Sequence, residues 1–108
     1  MVADGASIAR STSSRRYKTD IAALPLDRAT AAVMALQPVT YRGTSPTDPD
    51  RAFPGFIAED VAQVEPLLAT YDQAGAPDYV TYDRLPVFLV PVVQDHARRL
   101  AALEARLA

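Results

Sequence analysis

The sequence predicts a small α+β domain of short strands and short helices that carries one long C-terminal helix. Three observations lead there. Apolar residues recur at 85, 89, 92, 96, 100, 103 and 107, a helical stripe running to the end of the chain. Between residues 38 and 82, short runs rich in Val, Thr, Tyr and Phe are broken by Pro and Gly, which is the punctuation of strands and turns. With 49% hydrophobic and 22% charged residues, 108 residues suffice for one core and are too few for two. A net charge of −2 gives no positive field for phosphate backbones, so nucleic-acid binding is not expected. The chain has no cysteine and one histidine, which argues against disulfides, thiolate chemistry and a His-based metal site; no cofactor is expected. No run of eighteen apolar residues suggests a membrane span.

The elements follow in order. Ser7-Ile8-Ala9-Arg10 is weakly strand-like, and residues 11–21, hydroxyl-rich and then basic, read as a solvated loop leading into a short strand. Asp27 is placed to cap a helix over Arg28–Gln37, with Ala31, Met34 and Ala35 on its apolar face and Val33 and Leu36 widening it. Pro38 ends that helix. Val39-Thr40-Tyr41 alternates as a strand does, and 43–54, with three prolines and no periodicity, is a surface loop. Gly55–Ala58 reads as a buried strand and Glu59–Val64 as a short helix stopped by Pro66, its two leading acids suiting the helix dipole. Leu67–Tyr71 and Tyr79–Tyr82 form a hairpin around Gln73–Pro77, with Tyr71, Tyr79 and Tyr82 as packing aromatics.

The last helix, about 84–107, would extend about 35 Å, too long to lie along so small a domain. Its narrow stripe suits packing against helices of other chains, and the doubled interval of four around residue 96 resembles a stutter. Pro86 fits the first turn, but Pro91 should kink or break the helix. His96, the one non-aliphatic member of the stripe, reads as a packed or paired histidine.

Ten arginines stand beside a single lysine, Lys18. A guanidinium stays protonated, so only Lys18 can serve as a neutral basic amine; a GC-rich gene, with twenty Ala, would produce the same imbalance by codon usage. Ser13 stands five residues before it. A serine hydroxyl becomes a nucleophile when a base removes its proton, and a desolvated lysine can do so without histidine. A capping serine beside a surface lysine is the plainer reading of the same spacing.

Ser13-Ser14-Arg15-Arg16-Tyr17-Lys18-Thr19-Asp20-Ile21 resembles the opening signature of the intramolecular chaperone auto-processing domain at the C-termini of phage endosialidases, tail spikes and tail fibres. Leu36-Gln37-Pro38-Val39-Thr40-Tyr41, Gly55-Phe56-Ile57-Ala58-Glu59-Asp60-Val61 and Tyr82-Asp83-Arg84-Leu85 are similar to its later blocks, in order. The resemblance implies that Ser13 is the nucleophile, Lys18 the general base and Thr12–Ser13 the scissile bond, cut once and in cis. Ser14 and Ser11 remain alternative nucleophiles, because the family often has Asp where Ser14 stands. Residues 1–12 would then end an upstream fibre segment, and 13–108 would be the auto-processing domain. The resemblance further implies a homotrimer joined by its terminal helices as a bundle or coiled coil, for which Leu89, Val92, His96, Leu100, Leu103 and Leu107 are the candidate contacts. Its partner would be the β-rich fibre or spike of the same chain, and it would act in a phage tail precursor assembled in the host cytoplasm. The alternative function is a trimeric tip module that never cleaves.

Overall fold

The structure, a computed structural model, describes residues 13–108. The expected strand-like segment at Ser7–Arg10 lies outside the described residues. Among the described residues, three α-helices, four short strands and three 3₁₀ turns make up an α+β fold. The long terminal helix is present as expected.

After a 3₁₀ turn at Arg15–Tyr17 the chain runs without strand pairing to helix α1, Leu26–Ala35. The short strand expected here is absent. Asp20 sits in the left-handed region at φ 53, which breaks an extended run and which Asp tolerates better than most residues. Helix α1 begins and stops two residues earlier than expected, with Pro25 at its cap and Asp27, expected as the cap, in its first turn. Its inward face also differs: Ala29 and Ala32 are buried with Val33 and Leu36 beside them, whereas Met34 is 70% exposed. Positions 29, 32, 33 and 36 form a proper helical stripe, and the two small alanines let another helix approach closely.

Strands β1, Val39–Tyr41, and β2, Phe53–Gly55, pair antiparallel with Tyr41 opposite Phe53. The intervening loop is pinned by Arg42 donating to Asp50 at 2.9 Å and by the Ser45 N–H donating to Asp48 at 2.9 Å. The second strand was expected at Gly55–Ala58; instead it ends at Gly55, and Ile57 caps helix α2, Ala58–Val64. Pro54 is tolerated because a two-stranded ribbon leaves every strand an edge. A 3₁₀ turn at Pro66–Leu68 leads into β3, Ala69–Tyr71, which pairs with β4, Pro77–Val80, through a bulge at Thr70/Tyr71. In the connecting turn Asp72 accepts from the N–H groups of Ala74 and Ala76, and Gly75 takes φ 85.

A 3₁₀ turn at Tyr82–Arg84 runs directly into α3, Leu85–Leu107, which is helical throughout. Pro91 therefore does not break it. The carbonyl left without its N–H partner belongs to Val87, whose side chain is 55% exposed and whose surroundings are open to water, while Phe88 and Val92 on the opposite face hold the flanking turns in the core. That core comprises Ala29 and Ala32 of α1, Val61 of α2, Leu68 and Ala69, and Phe88 and Val92 of α3. It takes in only the first two turns of α3; every residue from His96 onward is exposed.

Beneath α1 lies a buried carboxylate. Glu65 is 3% exposed, yet it accepts from Arg28 Nε at 2.7 Å and Arg28 Nη2 at 2.8 Å, and from the Leu67 N–H at 3.0 Å. The fork ties α1 to the elbow between α2 and β3. The arginine hydrogen bonds hold the Glu65 carboxyl below its ordinary range against the opposing effect of burial, and Arg28 is correspondingly raised.

Candidate functional site: the serine–lysine turn and the exposed helix face

Ser13 and Lys18 lie at the two ends of the N-terminal 3₁₀ turn, and both are exposed. The turn forms because Ser14, extended at φ −63 and ψ 141, caps it: its hydroxyl accepts from the Arg16 N–H at 3.4 Å and from Arg16 Nη1 at 3.1 Å. The Tyr17 and Lys18 N–H groups then donate to the carbonyls of Ser14 and Arg15, each at 3.0 Å. Residues in such a turn rise about 2 Å each, against about 3.4 Å when extended. The turn thus shortens the path between the hydroxyl and the amine. It also gives Ser14 a structural role, its hydroxyl being engaged as the cap of the turn. Thr12 and Ser11 lie outside the described residues.

On α3 the expected stripe divides. Val92 is 4% exposed and belongs to the chain's own core, so its side chain is not on the outward face of the helix. At that level of the helix the exposed apolar residue is Val93, at 63%. Leu89, Leu100, Leu103 and Leu107 are exposed, as is His96. The outward face is therefore 89, 93, 96, 100, 103 and 107, with regular intervals of 4, 3, 4, 3 and 4. The stutter read from the sequence came from counting a core residue into an outer seam.

Of two other sequence expectations, one holds and one changes. Glu59 and Asp60 do begin a helix, as their place in the first turn of α2 shows. Tyr71, Tyr79 and Tyr82, expected as packing aromatics, are 41%, 57% and 50% exposed, and Tyr41 is 46% exposed. Glu65 was missed altogether. A Glu before a Pro looks like a helix end, and its partner lies 37 residues upstream.

These features define a class: a small α+β module that presents a polar N-terminal turn and projects a long helix with an uncovered apolar face. The chain belongs to the peptidase S74 family, the chaperone of endosialidase, whose model matches residues 13–75, more than half its length. The match covers the serine–lysine turn, α1, α2 and the start of the second hairpin; α3 lies beyond it. No curated protein matches the chain closely enough to count as a relative.

Proposed function

We propose that the chain is a self-cleaving intramolecular chaperone, which aligns three copies of an upstream β-rich phage tail fibre or spike and then separates from them between Thr12 and Ser13. The observation that carries this reading is that the family match opens at Ser13, the residue that cleavage would leave as a new N-terminus.

In the proposed reaction Lys18 Nζ takes the proton of Ser13 Oγ as the oxygen attacks the Thr12 carbonyl carbon. The C–N bond breaks, the proton passes to the Ser13 nitrogen, and an ester joins Thr12 to Ser13 Oγ. Water hydrolyses the ester, releasing a Thr12 carboxylate and restoring the Ser13 hydroxyl. Because the nucleophile attacks the peptide bond next to it, the reactants are tethered and the entropic cost of bringing them together is small. Lysine acts as a base when its amine is desolvated. Lys18 is exposed in the single chain, so the covering must come from neighbouring copies or the upstream segment.

The proposed trimer uses the outer face of α3. Val93, Leu100 and Leu107 take the a positions of a heptad and Leu89, His96 and Leu103 the d positions. Arg99 then stands at g and Glu104 at the following e, the spacing of an interchain ion pair between parallel helices in register. In the single chain Arg99 pairs with Asp95, at 3.6 Å, within its own helix. Fibres with intertwined strands fold slowly because their contacts are non-local, and an aligning trimer shortens that search. Cutting it away afterwards makes the folded fibre kinetically hard to undo.

The test is expression with at least fifty upstream residues, followed by a denaturing gel. Two fragments from the parent, and one band from Ser13→Ala and Lys18→Ala, are expected. A single full-length band from all three would leave a non-cleaving trimeric module and remove the peptidase.

A further inference from the structure

Three of the exposed tyrosines, Tyr41, Tyr79 and Tyr82, line a groove of about 380 Å³ between β1, the start of α2 and β4, and Glu59 and Asp78 also line it. Its walls are fixed. Tyr82 Oη accepts from the Phe56 N–H at 3.0 Å, and a Cβ on Gly55 would come within 2.9 Å of Tyr82 Oη and 3.0 Å of Tyr41 Cε1, so only glycine lets the two rings stand this close to β2. Neither Glu59 nor Asp78 takes part in an ion pair among the described residues. Rigid tyrosine faces beside two carboxylates suit a guanidinium, which stacks on rings and forks onto carboxylates.

The same chain carries the complement. The N-terminal turn holds Arg15 and Arg16, with Lys18 at its C-cap and no acid in the turn, and the Arg16 guanidinium already lies 4.7 Å from the Tyr17 ring centroid. Tyr17 is 59% exposed and Ile21 56%, large apolar groups that the chain's own domain leaves uncovered. The groove is lined only by residues between 41 and 82, so the chain's own turn does not occupy it. A cyclic trimer needs two different, mutually complementary patches on every chain, because each subunit meets its neighbours head to tail. An acidic, aromatic groove and a basic, aromatic turn are such a pair.

We infer that the groove between Tyr41, Tyr79 and Tyr82 receives the Arg15–Tyr17 turn of a neighbouring copy, with Glu59 and Asp78 meeting Arg15 and Arg16. This rests on the homo-oligomer proposed above and adds to it a link between assembly and cleavage. The turn that carries Ser13 and Lys18 is held and covered only when a second copy supplies its groove.

The chain lacks cysteine, so thiols can be introduced at will. Thr19→Cys and Ala58→Cys in one chain, treated with a short bis-maleimide, are expected to give covalent dimers and trimers on a denaturing gel. Adding E59Q and D78N should lower the yield about tenfold, the size expected of two partly exposed charge pairs. Adding R15E and R16E together with E59R and D78R should restore it. Circular dichroism checks that each variant is folded. If light scattering shows an oligomer but the thiols link only within a chain or not at all, the docking inference is overturned and the trimer stands. If the protein is monomeric, both are overturned.

Discussion

Among single residues, Glu65 and Lys18 make opposite demands on their surroundings. Glu65 is buried and stays ionised because Arg28 and the Leu67 N–H satisfy it. Glu65→Ala removes those hydrogen bonds and should destabilise the domain by about 1–3 kcal/mol, read as a fall in thermal midpoint of several degrees. Its depressed folded pKa fixes the pH dependence. The stabilisation is complete above the unfolded value of about 4.3 and is lost as pH falls through the lower folded value. Glu65→Ala should therefore lose that part of the acid sensitivity, measured as midpoint against pH between about 6 and 2. Lys18, by contrast, is proposed to act only when its amine is neutral. Lys18→Arg should thus be as inactive in cleavage as Lys18→Ala, although it keeps the charge; cleavage by the arginine variant would refute the base assignment. The Ser13–Lys18 spacing was legible in the sequence because the turn is local. Glu65 was not, because its partner is distant in the chain and nothing in the pattern around Pro66 marks it.

At the scale of elements, helix α3 was readable almost to the residue, since its stripe is long and uninterrupted. The stripe alone did not reveal where one partner ends and another begins. Val92 faces α1 in the core and Val93 faces outward, and these neighbours differ by only one residue in sequence. Val92→Ala should lower the thermal midpoint at every protein concentration, by about 2 kcal/mol for a buried valine. Val93→Asp should leave the single domain folded and remove the concentration dependence of melting that an oligomer shows. Differential scanning fluorimetry over a hundredfold concentration range separates the two. Pro91 belongs here too. Pro91→Ala returns an N–H to the Val87 carbonyl and should stabilise α3 by about 1–3 kcal/mol, read as a higher midpoint. The strands were less legible than the helices. Runs of three or four residues carry little periodicity, and so β2 and β4 were placed two residues too late and β3 too long. The face of α1 was misread for another reason: two alanines, small enough to admit α3, drew less attention than a methionine that points to water.

For the whole molecule, the distribution of apolar surface is the governing fact. The radius of gyration is 18.1 Å, against about 13 Å for a compact chain of this length, because the last four turns of α3 leave the domain. Those turns expose Leu100, Leu103 and Leu107, which no other described residue covers. Light scattering at micromolar concentration should give three times the mass of the chain, and a strictly monomeric species would refute the outer seam. In this account assembly, covering of the N-terminal turn and scission follow in that order. Their product is defined to the residue. The most direct measurement is the intact mass and N-terminal sequence of the released domain after expression with its upstream segment. The account predicts a fragment beginning at Ser13 and an upstream product ending in a free carboxylate at Thr12; an unbroken junction, or an N-terminus at Ser11, Ser14 or any other residue, would contradict it.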